Sequence, residues 1–131
     1  MGPYVIAAFL VLLSGCAAVT EELTGVANPP NLIGKWKGEW GGNMIHPIEM
    51  VVEKQQEGKV SGTMTVFPQG GKAIHKMNGT IGAKPDGTVW AILTVAGRTP
   101  WAFPLKVISE NRLEGTGRSM THDGPVTLNR E

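Results

Sequence analysis

The chain has 131 residues, with 12 Lys plus Arg, 11 Asp plus Glu and a formal net charge of +1, so its length is that of one domain. The charges are scattered singly, which excludes a basic stripe of the kind that binds nucleic acid. Glycine accounts for 18 residues, about twice its average share, without a collagen-like period. This composition indicates a β protein rich in turns and strand bends.

The first 15 residues carry no charged side chain, and Val5 to Leu13 is an apolar run. The run has the length of a signal-peptide core and is shorter than the roughly 20 residues that cross a bilayer as a helix. The following Leu13-Ser14-Gly15-Cys16 resembles the lipobox of bacterial lipoproteins. The resemblance implies a signal peptide over residues 1–15 and lipidation of Cys16, with fatty acyl chains such as palmitate. Because Ala17 follows the cysteine, it also implies an outer-membrane protein that faces the periplasm.

Residues 16–31 lack hydrophobic periodicity and contain the pair Pro29-Pro30, so we expect a lipidated tether. Fifteen residues, Ala17 to Asn31, span at most about 50 Å when extended. Cys16 is the only cysteine, so the folded domain has no disulfide and depends on packing for its stability.

Residues 32–131 are divided by seven turn signals, the last of which is Asp123-Gly124, and these separate eight segments. The first segment, Ile33 to Trp40, places Gly34, Trp36, Gly38 and Trp40 on one face. Segments two, three, four and seven also alternate, and the last, Val126 to Arg130, is short. The pattern predicts an all-β domain.

The fifth and sixth segments, Val89 to Val95 and Trp101 to Ile108, are apolar on nearly both faces. A strand of this kind meets something other than water on its second face. We therefore expect an interface with a second copy or with an envelope protein. Its candidate residues are Trp90, Ile92, Trp101 and Phe103.

The order of these segments resembles the calycin group, which includes lipocalins and avidins. Gly34-Lys35-Trp36 matches the Gly-x-Trp signature of the first strand, and residues 60–64 resemble the third strand of avidins. The resemblance implies a small eight-stranded antiparallel up-and-down barrel that holds a ligand. Strand one lacks the Asn and Ser with which avidins hold biotin, so biotin is not the expected ligand.

Catalytic chemistry requires titratable groups that converge in a cleft, and the sequence predicts none. Asp86 and Asp123 each precede a turn glycine, and the strand glutamates fall on outward faces. We therefore expect a protein that is not an enzyme and has no cofactor or metal. His75 is the one histidine predicted to point inward, whereas His46 and His122 are predicted to lie on the surface.

Two functions remain open at this point. The first is a carrier with a small, mostly apolar ligand at one barrel mouth, floored by Trp36 and contacted by His75 or Ser119. The second is a protein-binding module that acts through the fifth and sixth strands. The candidate ligand-binding residues of the first hypothesis are Trp36, Trp40, Met64, His75, Met77 and Ser119.

Overall fold

The computed structural model describes residues 23–67 and 71–131. It contains eight strands: β1 Gly34–Trp40, β2 His46–Gln56, β3 Lys59–Val66, β4 Ala73–Ala83, β5 Val89–Val95, β6 Trp101–Ser109, β7 Arg112–Arg118 and β8 Asp123–Arg130. Each strand pairs antiparallel with the next, and β1 pairs with β8 to close a barrel. The predicted all-β fold with eight strands in up-and-down order is confirmed, and it is consistent with a calycin-like architecture. Cys16 and the signal-peptide prediction lie outside the described residues.

The barrel interior is filled by side chains from alternate positions of all eight strands. The largest fully buried side chains include Trp36, Phe103, Met50, Met64 and Met77. Within the two described stretches of the chain, no helix is long and apolar enough to cross a membrane.

Inward-facing glycines allow the strands to coil tightly around this core. A Cβ added at Gly38 would overlap the carbonyl oxygen of Thr127, and one at Gly62 would overlap that of Val51. The space beside these glycines is therefore occupied by the backbone of a neighbouring strand. They do not leave a bare wall that a ligand can use.

One end of the barrel, which we call the closed end, is sealed by the residues that precede β1. Leu32 is buried, and its carbonyl accepts a hydrogen bond of 2.9 Å from the indole N–H of Trp36. The side-chain amide of Gln55 accepts a bond from the Leu32 N–H at 2.8 Å and donates to the Pro30 carbonyl at 2.8 Å. Both ends of this amide are thus satisfied.

Arg130 completes the closed end. Its guanidinium donates to the carbonyls of Ile33 at 2.8 Å, Asn31 at 2.6 Å and Glu110 at 2.7 Å. The guanidinium carbon also lies 4.5 Å from the ring centre of Trp36. One side chain therefore joins the entry to β1, the β6–β7 turn and the last strand.

Part of the segment expected as a tether, residues 16–31, is attached to the barrel. Thr24 and Ala83 exchange two backbone hydrogen bonds of 2.9 Å. β4 continues to Ala83, beyond Thr80, which pairs with the first residue of β3. Thr24 pairs with Ala83 on this extension of β4. Residues 17–22 lie between Cys16 and the first described residue, Leu23, which is already beside Gly82 of β4.

The double apolar character of β5 and β6 has two different explanations. The apolar residues of β6 point into the barrel: Phe103 is fully buried, and Trp101 belongs to the inward face. Both had been predicted to lie on an outer interface, and the structure places neither of them there. Trp90 and Ile92 do face outward. The Trp90 indole donates to the Thr88 hydroxyl at 2.8 Å and lies 3.7 Å below the Lys84 ammonium.

The Gly38 contact predicts a large loss of stability on adding one methyl group. We expect Gly38→Ala to lower the free energy of unfolding by about 3 kcal/mol, because β1 and β8 cannot separate without breaking the closure of the barrel. Gly25→Ala is the control, since nothing lies within 4 Å of its added Cβ. Urea denaturation measures both, and equal midpoints for the two variants would contradict the packing argument.

The Arg130 contacts predict that the closed end depends on this side chain. We expect Arg130→Ala to lower the free energy of unfolding by about 2 kcal/mol, since three backbone carbonyls lose a charged donor. Lys37→Ala is the matched control at the same sheet seam, because its ion pair with Glu131 is long, at 3.8 Å, and exposed. We expect the free energy of unfolding of Lys37→Ala to lie within about 0.5 kcal/mol of the wild-type value. A similar result for Arg130→Ala would refute the role given to it.

Candidate functional site

The opposite end of the barrel, which we call the mouth, contains a depression of about 450 Å³. This volume lies within the range of about 300–1,000 Å³ that small-molecule pockets occupy. The described residues of its lining combine apolar and aromatic side chains with three histidines, and none of them is a carboxylate, lysine or arginine. The lining consists of Trp40, His46, Val66, Ala73, His75, Trp101, Ser119, Thr121 and His122.

Trp40, the last residue of β1, forms the floor of the mouth. Its ring centre lies 5.0 Å from that of Phe103 beneath it and 5.5 Å from that of Trp101 at the side. Its indole N–H donates to the Gly117 carbonyl at 3.0 Å. Gly117 is required here, because a Cβ would come within 2.8 Å of the Trp40 indole nitrogen. The floor is therefore held rigidly and has no free polar atom.

His75 lies on β4, and its imidazole lines the mouth as its inward parity predicted. Its Nδ1 lies 2.9 Å from the carbonyl oxygen of Ala96, and its ring packs against that of Trp101 at 4.6 Å. The other ring nitrogen, Nε2, is buried and has no hydrogen-bond partner. Buried polar atoms without partners are rare in folded proteins, so this nitrogen requires an explanation.

His46 and His122 were both predicted to lie on the surface, but they are half-buried and line the mouth. Their ring centres are 4.7 Å apart, and that of His122 lies 4.6 Å from that of Trp40. Nε2 of His122 is a second buried nitrogen without a partner. The alternation of the strands could have predicted this position. His46 has the same parity as the inward Ile48, and His122 has the same parity as the inward Val126.

Ser119 lines the mouth, but its hydroxyl is engaged within its own turn. The hydroxyl donates to the His122 carbonyl at 3.0 Å and accepts from the His122 N–H at 2.9 Å. The turn before β8 therefore spans residues 119–122, and the expected turn at Asp123-Gly124 is wrong. Asp123 and Gly124 instead begin β8, which is longer than expected, because they pair with Arg118 and Gly117.

The remaining candidate ligand-binding residues lie deeper in the molecule. Met64 and Met77 are buried below the mouth, where they fill the core. Trp36 is fully buried beside Leu32 and Arg130 at the closed end, so the floor of the mouth is Trp40 and not Trp36 as expected. Of the six candidates, the structure brings Trp40, His75 and Ser119 together.

The mouth differs from a second hollow that the described residues form on the outer wall. A hollow of about 530 Å³ on the outer wall is more open to solvent and is lined mainly by strand positions such as Asn78, Thr80 and Thr94. Within residues 23–67 and 71–131, no three His, Cys, Asp or Glu side chains converge as metal ligands. The mouth is thus distinguished by its aromatic lining and its two unpartnered nitrogens.

Comparison of the chain with models of protein families, with curated proteins and with solved structures finds no significant match. The geometry and chemistry of the mouth are therefore the basis for assigning a function to this chain.

Proposed function

We propose that this chain is a lipid-anchored, non-enzymatic binding protein of the cell envelope, which holds a small, mostly apolar ligand at the mouth of a calycin-type barrel. The observation that carries the proposal is the depression at the mouth, in which Trp40 and Trp101 provide aromatic surface beside histidine nitrogens that lack partners. A concave apolar site with a few convergent polar groups is the typical form of a small-molecule site.

The anchoring part of the proposal combines the lipobox resemblance with the attachment of Thr24. From Cys16 to Thr24 the chain advances eight residues, which reach about 28 Å at most. Thr24 pairs with Ala83 at the closed end. A lipidated Cys16 therefore holds the closed end toward the bilayer and leaves the mouth directed away from it, toward the periplasm.

A protein-binding module that acts through β5 and β6 is the second hypothesis. Its support is the outward position of Trp90 and Ile92, which leaves an apolar strip on the wall. It is the weaker hypothesis, because Lys84 and Thr88 already contact the Trp90 indole.

Lipid anchoring predicts a difference between the wild-type chain and Cys16→Ser in a bacterial host. We expect wild type to partition into the detergent phase and to incorporate radiolabelled palmitate, since the thiol is the acylation site. Cys16→Ser is expected to do neither. Identical partitioning of the two proteins would contradict the lipoprotein assignment.

Ligand binding at the mouth predicts that an apolar fluorescent probe binds there. We expect N-phenyl-1-naphthylamine to bind wild type with a blue-shifted, enhanced emission. Trp101→Ala is expected to weaken binding about tenfold, because an aromatic contact in the lining is lost. Trp90→Ala, on the outer wall, is the matched control and is expected to bind as wild type does. Loss of binding in Trp90→Ala alone would favour the outer surface of β5 instead.

A further inference from the structure

We infer that the mouth selects neutral aromatic compounds that carry a hydroxyl or amine donor, and that Nε2 of His75 is the atom that accepts this donor. The inference rests on the proposed function, and it names the chemical class of the ligand. Three observations carry it: the tautomer of His75, the isolation of its Nε2, and the uncharged lining around it.

The tautomer of His75 follows from its partner. A backbone carbonyl oxygen only accepts hydrogen bonds, so the 2.9 Å contact with Ala96 requires the proton on Nδ1. In the neutral imidazole, Nε2 then carries a lone pair and acts as an acceptor. The group that satisfies this nitrogen must therefore bring an O–H or N–H.

Because Nε2 has no partner in the protein, a donor group on the ligand stabilises the complex. The nitrogen is buried without a partner, so the free protein bears the cost of an unmade hydrogen bond. A ligand donor removes that cost, whereas a ligand without a donor leaves it in place. Nε2 of His75 therefore lets the mouth discriminate between two ligands of the same shape that differ in a donor.

Access to Nε2 involves Trp101, whose ring lies 4.6 Å from that of His75. Trp101 is only half-buried and is the first residue of β6, directly after the β5–β6 loop. A small outward movement of its indole lets an aromatic ring enter against His75, above the floor formed by Trp40. The moved indole then packs against the ligand ring, so Trp101 remains one of the aromatic contacts of the ligand.

The charge of the ligand follows from the lining. Among the described residues of the lining, the titratable side chains are the three histidines His46, His75 and His122, and none is Asp, Glu, Lys or Arg. A charged ligand group would lose its hydration without gaining an opposite charge, which is costly in apolar surroundings. A neutral hydroxyl or amine meets the lone pair of His75 without that cost.

The test compares 2-naphthol with 2-methoxynaphthalene, which has the same ring system and no donor. Both are titrated by calorimetry into the full chain carrying Cys16→Ser, which removes the proposed acyl chains as competitors. We expect 2-naphthol to bind about threefold to tenfold more tightly, the range of one net hydrogen bond. In His75→Phe, which keeps a ring but has no acceptor, the two compounds are expected to bind equally.

A second measurement needs no variant of His75. The ring ¹⁵N resonances of His75 are expected to show a protonated Nδ1 and an unprotonated Nε2. The Nε2 resonance is expected to move upfield with 2-naphthol and to stay in place with 2-methoxynaphthalene. This readout holds even where His75→Phe fails to fold.

The possible outcomes separate the inference from the proposed function. Equal binding of both compounds to wild type, or a naphthol preference that persists in His75→Phe, overturns the role of His75 and leaves a binding mouth. Failure of both compounds to bind at saturating concentration overturns the proposed function together with the inference.

Discussion

The close approach of β1 and β8 is the constraint on which the rest of the molecule depends. These two strands close the barrel, and Gly38 lies opposite Leu128 at the centre of their pairing. The Thr127 carbonyl occupies the place where a side chain of residue 38 would be. With the seam closed there, Trp36 and Trp40 project inward on either side of Gly38, one toward each end of the barrel.

The two tryptophans of β1 show how different the ends are. Both are buried and both indole N–H groups donate to a backbone carbonyl, Trp36 to Leu32 and Trp40 to Gly117. Around Trp36, the side chains of Gln55 and Arg130 satisfy the polar groups of the entering chain. Around Trp40, two histidine nitrogens are left without partners. One end is therefore fully hydrogen-bonded, and the other leaves two buried ring nitrogens without partners.

The polar groups beside the outward face of β5 are satisfied by contacts within the chain. Asp86 accepts hydrogen bonds from the hydroxyl and backbone N–H of Thr88, and these bonds hold the pKa of Asp86 below its ordinary value. The same Thr88 hydroxyl accepts the Trp90 indole N–H, and Lys84 covers the ring. A run of short-range contacts thus accounts for an outward tryptophan, which weakens the case for a partner at this surface.

The sequence by itself determined the barrel, because period-two alternation and glycine-rich turns are local signals that survive in any single chain. It also placed His75 on the inward face, since parity within a strand needs no knowledge of the neighbouring strands. Only the tertiary structure decided which end each inward residue occupies. Trp36 and Trp40 lie on the same strand face, four residues apart. The end around Trp36 is closed by Leu32, four residues away in the sequence, and by Arg130, which is 94 residues away. The position of His46, His75 and His122 at the same mouth likewise depends on the register between strands that are far apart in the chain. These strands come together only when the barrel closes.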